Sequence, residues 1–286
     1  MTYPLSFPRR CLPALLIALA VGAAPRAAAQ QTRPDARRPS AHIGLTTGLA
    51  ATWIIDQRLL EDPNYLDVQT YRRAPIGVTF GYHFNDRNGF QIEANKTGQG
   101  ADFQIIGSGD DQTRIGTKNV RLTYWSVPVL YKYTSGAARR TRFEFHVGPQ
   151  LNFLSSASDV NRYDRDGILT VTAGRTDITT ATGPRNTHPV KAGTSAQFAT
   201  TDDYRTHTLS AVFGFGVEVK IVGPLYASAL VRGTISVQEI RADQAADRAR
   251  KTGYYTGRQN ALAGVQVGLH WQFISPEEGH PKDRPY

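Results

Sequence analysis

Apolar and polar residues alternate with a period of two along most of the chain, the spacing of a β-strand with two unlike faces. From His42 to Trp53, Ile43, Leu45, Leu49, Ala51 and Trp53 share one face and His42, Gly44, Thr46, Gly48 and Thr52 the other. The second segment sets Ile76, Val78, Phe80, Tyr82 and Phe84 against Gly77, Thr79, Gly81 and His83, and the third sets Phe90, Ile92 and Ala94 against Gln91, Glu93 and Asn95. In the fourth, Trp125, Val127, Val129, Tyr131 and Tyr133 oppose Tyr124, Ser126, Leu130 and Lys132. The remaining four center on Phe143–Phe153, Leu209–Val219, Leu225–Val231 and Ala263–Phe273. Segments of roughly 9–11 residues suit strands that cross a bilayer at a tilt, and eight strands make the smallest usual membrane barrel.

Soluble barrels and sandwiches alternate as well, so the connections decide between them. Short turns at 85–88, 134–140 and 222–224 alternate with long connections at 56–73, 98–118, 155–205 and 237–259. The apolar face also carries Tyr82, Phe84, Phe90, Tyr131, Tyr133, Phe143, Phe145, Trp271 and Phe273 at the short-turn end. Rings at one level of an outward face are what a membrane interface requires, whereas a soluble barrel keeps its large apolar residues inside. The expected fold is therefore all-β: an eight-stranded antiparallel transmembrane up-and-down barrel. It would lie in the outer membrane of a diderm bacterium, with both termini periplasmic.

The N-terminus reads differently. Arg9 and Arg10 precede an apolar run from Cys11 to Ala24, and Ala27-Ala28-Ala29 follows. This is the pattern of a secretory signal peptide cut after Ala29. The organization expected is a signal peptide at 1–29, a flexible periplasmic tail at 30–41, the barrel at 42–274 and a periplasmic C-terminal tail at 275–286.

Among 286 residues, 33 Lys+Arg and 24 Asp+Glu give a net charge of +9. Arg9, Arg10 and Arg26 leave with the signal, so the mature chain keeps 30 basic against 24 acidic residues, or +6, and loses its single cysteine. Disulfides and thiol chemistry are thereby excluded. Much of the remaining excess sits at Arg33, Arg37 and Arg38 and at one short turn with Arg139, Arg140 and Arg142. The long connections are close to neutral, which argues against an outward nucleic-acid surface.

Tyr124-Trp125-Ser126-Val127-Pro128-Val129-Leu130-Tyr131-Lys132-Tyr133 resembles a strand of the PorT-like outer-membrane β-barrel proteins. Gly148-Pro149 with Phe153-Leu154, Gly214-x-Gly216-x-Glu218 and Val231-Arg232-Gly233-Thr234-Ile235 are similar to that family's later strands, in the same order. Ser126 and Ser210 depart from it, standing where carboxylates are usual, so no role for such carboxylates carries over. The resemblance implies an outer-membrane barrel, in a family named for a member linked to protein export. Pro128 cannot donate to a strand ladder, and with Pro149 it predicts a kink and a weakened ladder.

An eight-stranded barrel is just filled by its own side chains, which argues against a wide channel. The inward face would bring Glu93, Glu144, His146, Glu218, Lys220, Arg232 and His270 into a narrow lumen as a paired, hydrogen-bonded plug. No catalytic, cofactor or metal residues are expected. Asp164-Arg165-Asp166-Gly167 resembles part of a calcium loop, but Arg162 and Ala173 occupy the first and last ligand positions, leaving a turn. His188, His207, Ser195, Asp202 and Asp203 have no spacing that fixes a hydrolase geometry. The connection at 155–205 exceeds the usual loop length, and Ile168–Thr172 within it predicts a hairpin above the membrane. Gln238–Lys251 predicts a short helix or extended hairpin.

The expected role is a non-enzymatic structural or interaction module, within an envelope or export assembly. Its partners would be outer-membrane lipid and a protein or glycan at the long loops, and the barrel would be monomeric. The alternatives are a narrow ion or small-solute channel and a lipid-modifying barrel enzyme.

Overall fold

The computed structural model describes residues 39–274, apart from 57–58, 60–61, 63, 69, 86, 108–112, 136–139, 173–184 and 252–256. The expected signal peptide, most of the N-terminal tail and the C-terminal tail lie outside the described residues. The elements are β1 (Ser40–Asp56), β2 (Tyr65–Val68), β3 (Thr70–His83), β4 (Asn88–Ile106), β5 (Arg114–Thr134) and β6 (Thr141–Tyr163), followed by β7 (Gly167–Thr172), β8 (Arg185–Val190) and β9 (Ser195–Ala199). A 3-10 turn (Thr201–Asp203), β10 (His207–Val222), β11 (Leu225–Ser236), helix α1 (Asp243–Lys251) and β12 (Arg258–Ile274) complete the chain.

Eight of these strands close a ring of antiparallel neighbours in the order β1-β3-β4-β5-β6-β10-β11-β12, and β12 pairs back onto β1 from Ala41↔Ile274 to Asp56↔Arg258. They are the eight strands that the alternation predicts. Closure leaves the ring without a free edge strand, and each strand pairs its backbone with a neighbour on both sides, as a lipid environment demands. Ile43, Leu45, Phe80, Phe90, Trp125, Tyr131, Phe143, Phe213, Leu269 and Trp271 are exposed on the outer face, while Thr46, Gln91, Ser126, Lys132, Asn152, Glu218 and His270 are buried inside.

The strands run well past the expected boundaries. β4, β5 and β6 have 19, 21 and 23 residues, so much of 98–118 and the start of 155–205 are ladder rather than loop. Sequence alternation hides this because it changes meaning along β5. From Ser126 to Thr134 the even residues face the lumen and are mostly polar, with apolar odd residues outward; from Lys118 to Tyr124 the even side still faces inward but becomes Val120, Leu122 and Tyr124, while Asn119, Arg121 and Thr123 face out. Apolar thus passes from the outside of the barrel to the inside at Tyr124–Trp125 while the even residues of β5 keep facing inward, and the β5–β6 register shifts at the same level, between Thr123 and Tyr124. Above that level the strands build a water-facing extension with its own core: Ile54, Leu59, Ala101, Phe103, Val120, Leu122, Tyr124, Tyr204 and Ile240.

β2 pairs with β4 and β9 with β6 beside this extension. The predicted hairpin at Ile168–Thr172 is present as β7–β8, and the predicted helix as α1. Pro128 interrupts its ladder with β4, and the break in the β5–β6 ladder falls one residue on, at Val129–Leu130 opposite Pro149 and Gly148. On the β4 side the register passes from Ile92↔Val129 to Asn95↔Ser126, and on the β6 side from Pro128↔Gln150 to Tyr131↔Val147. Pro149 pairs with Ala211 of β10 on one side and on the other stands across the break from Val129, beside Pro128, so the weakened ladder expected from the two prolines is present.

Candidate functional site

The lumen is built in layers. Nearest the short turns, β5 places Lys132 at the center, fully buried, with its Nζ donating to Glu218 Oε1 at 2.5 Å and standing 3.2 Å from Glu144 Oε2. Arg142 Nη2 reaches Glu218 Oε2 at 2.8 Å, and His146 Nε2 lies 3.1 Å from Glu144 Oε2. Removing such charges from water costs several kcal/mol per ion, which only close pairing offsets. Beside this group, His42 stands 5.5 Å from both His83 and His270, ring center to ring center, and Tyr226 stacks on His270 at 4.8 Å. The rings fit because the wall opposite them is bare: a Cβ on Gly81 would fall 2.1 Å from the His42 ring, and one on Gly44 2.2 Å from that of His270.

One level higher, Glu93 accepts from Gln91 Nε2 at 2.7 Å, Asn95 Nδ2 at 2.7 Å and Arg232 Nη1 at 2.6 Å, and Arg232 also donates to Gln266 Oε1 at 2.7 Å. On the facing wall Ser126 Oγ donates to Asn152 Oδ1, and Asn152 Nδ2 to Ser210 Oγ, both at 2.8 Å. The two serines that depart from the PorT-like pattern are thus joined through Asn152 into one neutral hydrogen-bonded unit.

Between these groups and the apolar core lies a chamber of about 70 Å³, lined by Thr46, Asn95, Thr97, Gln99, Arg232 and Gln266 among others. That is room for about five waters, far below the roughly 300 Å³ of small-molecule sites. Above the apolar core, Lys118 pairs with Asp159, and Arg258 with Asp56 at 2.8 Å and Asp159 at 3.6 Å. Arg258 Nη1 also donates to Tyr204 Oη at 3.1 Å. Burial pushes the Tyr204 and Tyr65 phenols up to about 12 and pulls the Lys118 ammonium down.

Of the residues named from the sequence, Glu93 and Arg232 form one pair, Glu144, His146 and Glu218 gather around Lys132, and His270 joins the ring cluster. Lys220 does not join them. The β10–β11 register shifts between Lys220 and Val222 as the strand enters its turn, and Lys220 is exposed at the rim. Lys132, His42, His83, Tyr226 and Arg142 belong to the network and are absent from the inward set of the sequence reading. Lys132, His42 and His83 had a signal, since each falls on the polar face of its segment.

The discounted motifs scatter. Asp164 and Arg165 form the turn from β6 into β7, their amides donating to Ile115 O. His207 meets the edge of the Phe153 ring, and Asp203 binds Thr200 and Arg248. Among the described residues, no group of three His, Cys, Asp or Glu side chains could hold a metal ion.

The model of the outer membrane protein beta-barrel domain family matches residues 28–229. The chain belongs to this family. As an outer-membrane β-barrel protein it crosses the membrane with the eight-stranded ring, whose closing strand β12 lies beyond the matched stretch. Similar solved structures are Neisserial surface protein A (9% identity, covering 82% of this chain and 97% of that one, TM-score 0.40) and OprG of Pseudomonas aeruginosa (9%, 84% and 98%, 0.39). Ail of Yersinia pestis in complex with the heparin analogue sucrose octasulfate is a third (9%, 82% and 99%, 0.35). No curated protein sequence matches the chain.

Proposed function

We propose that this outer-membrane barrel is a closed, non-enzymatic module. It presents its long-loop extension to a protein or glycan partner as part of an envelope assembly, with both termini and the short turns in the periplasm. The observation that carries the reading is the lumen's double seal: the ion-paired layer around Lys132 at one end and the apolar core around Leu122 and Phe103 at the other. Both layers are built of buried side chains, and the chamber between them is too small for a lipid substrate. The resemblance to PorT-like barrels supports an export-linked assembly over a free-standing role.

The test is reconstitution into planar bilayers together with removal of the β7–β8 hairpin. A closed module shows no discrete conductance, and hairpin removal abolishes capture of its surface partner while leaving the heat-dependent gel mobility of the barrel. Steady single-channel conductance would sink the closed reading. The chamber gives the narrow-channel alternative its footing, and that alternative predicts conductance that grows when Leu122 is made small.

A further inference from the structure

Two lysines are buried among the described residues, Lys118 and Lys132, and their surroundings differ. Lys132 Nζ, in the membrane ring, meets Glu218 Oε1, Glu144 Oε2 and Gln91 Oε1, so each of its three protons has an acceptor. Lys118 Nζ, in the water-facing extension, meets one acceptor, Asp159 Oδ1. Beyond it stand two rings, with the Phe198 center 4.8 Å and the Tyr65 center 5.9 Å from the nitrogen. An ammonium with three donors and a single acceptor is poorly served once water is excluded. Burial accordingly pulls Lys118 below the ordinary lysine value.

Lys118 and Asp159 are diagonal neighbours on the inner face of the β5–β6 ladder, whose register here is Lys118↔Asn161 and Val120↔Asp159. Both side chains are more than nine-tenths buried. On the far side of the carboxylate, Arg258 Nη1 stands 3.6 Å from Asp159 Oδ2, and Arg258 is itself fixed by Asp56 at 2.8 Å and Tyr204 at 3.1 Å. One carboxylate oxygen therefore faces an amine and the other a guanidinium. A nucleophile held against a carbonyl carbon, with positive charge where an oxyanion forms, is what acyl transfer to nitrogen requires. Across the ladder from Lys118, Asn161 is fully buried and its Oδ1 has no hydrogen-bond partner, which leaves an acceptor for a new N–H on this face.

We propose that Lys118 and Asp159 join in an intramolecular amide bond that staples β5 to β6 within the extension. Nζ gives one proton to Oδ1, and the neutral amine attacks Cγ. The negative charge that forms on Oδ2 is held by Arg258. A second proton passes from Nζ to the Oδ1 hydroxyl, the Cγ–Oδ1 bond breaks with its electron pair, and Oδ1 leaves as water while Oδ2 becomes the amide carbonyl. Nothing is oxidized or reduced, and no co-reactant is consumed. The product replaces two buried charges with one neutral group whose single N–H needs a single acceptor, and Arg258 keeps Asp56.

The test is the intact mass of the full barrel, folded in detergent, against the same chain kept in denaturant and never folded. The folded protein is expected to be lighter by one water, and the unfolded chain to have the full mass of its sequence. Digestion of the folded protein should give a branched peptide joining Lys118 to Asp159, with no tryptic cut after Lys118. Lys118→Arg is expected at full mass, and the boiled wild type should run ahead of it on a denaturing gel because the stapled segment stays looped. A folded wild type of full mass overturns the proposal, as does a loss that persists in Lys118→Arg. A loss that mild base reverses also overturns it, since that marks a succinimide at Asp166-Gly167. If Lys118→Arg fails to fold, the wild-type digest decides alone, and unjoined peptides refute the bond.

Discussion

Lys132 Nζ and Glu218 Oε1 lie 2.5 Å apart although 86 positions separate them in the chain. The strand between their two strands, β6, supplies Glu144 and His146 to the same group. Lys132 therefore holds two buried carboxylates at once. Lys132→Met is expected to cost about 3–5 kcal/mol, because it removes the buried ammonium both share and leaves Glu218 only Arg142 and Glu144 only His146. Urea unfolding followed by loss of heat-dependent gel mobility measures it. Adding Glu218→Gln and Glu144→Gln should recover part of that loss, and no recovery would refute the pairing as its cause.

Gly81 makes room for the ring of His42. Gly81→Val is expected to destabilize the barrel by about 1–3 kcal/mol by overpacking. Because His42 is the obstacle, the cost should shrink in Gly81→Val/His42→Ala. The same unfolding assay reads both, and an equal cost in the two backgrounds would point elsewhere.

Ser126→Ala and Ser210→Ala each deprive Asn152 of one partner. Each is expected to cost about 0.5–1.5 kcal/mol, the net worth of one hydrogen bond, because Asn152 Oδ1 still accepts from Gln150 Nε2 at 2.6 Å and its Nδ2 still reaches Thr208 O at 3.5 Å. Since both act on one amide, the double variant should fall short of the sum. Strict additivity in a double-mutant cycle would mean that the three residues are not one unit.

Tyr204 and Tyr65 ionize at about 12 instead of the usual 10 because burial opposes the phenolate. A folded value raised above the unfolded one gives stabilization that is complete below pH 10 and declines as the pH climbs toward 12. The long-loop extension should therefore loosen in that alkaline window. Tyrosinate absorbance against pH is expected to lose one phenol's amplitude from the component near 12 in Tyr204→Phe, and an unchanged titration would count against the burial.

The membrane ring was legible because lipid and lumen demand opposite residue types. Phe213 and Phe215 against Ser210 and Glu218 cannot be exchanged without exposing charge to hydrocarbon. The upper strands were not legible, since Asn119, Arg121 and Thr123 on an outer face are composed like a loop and only pairing with β4 and β6 identifies them as ladder. The lumen was legible pairwise at most. Lys132 sits between Tyr131 and Tyr133 as rim lysines do, and its partners come from β6 and β10, whose register the sequence does not disclose. Lys220 went astray for a related reason, because alternation cannot reveal where a strand leaves the wall.

The reversal at Tyr124–Trp125 makes the primary sequence a depth gauge. A residue facing outward on β5 is solvated if it precedes Trp125 and lies against lipid if it follows, so vertical position can be read from a residue number alone. An epitope, a glycan or a fluorophore attached on the early side meets water; the same graft a few positions later would have to be dragged through oil.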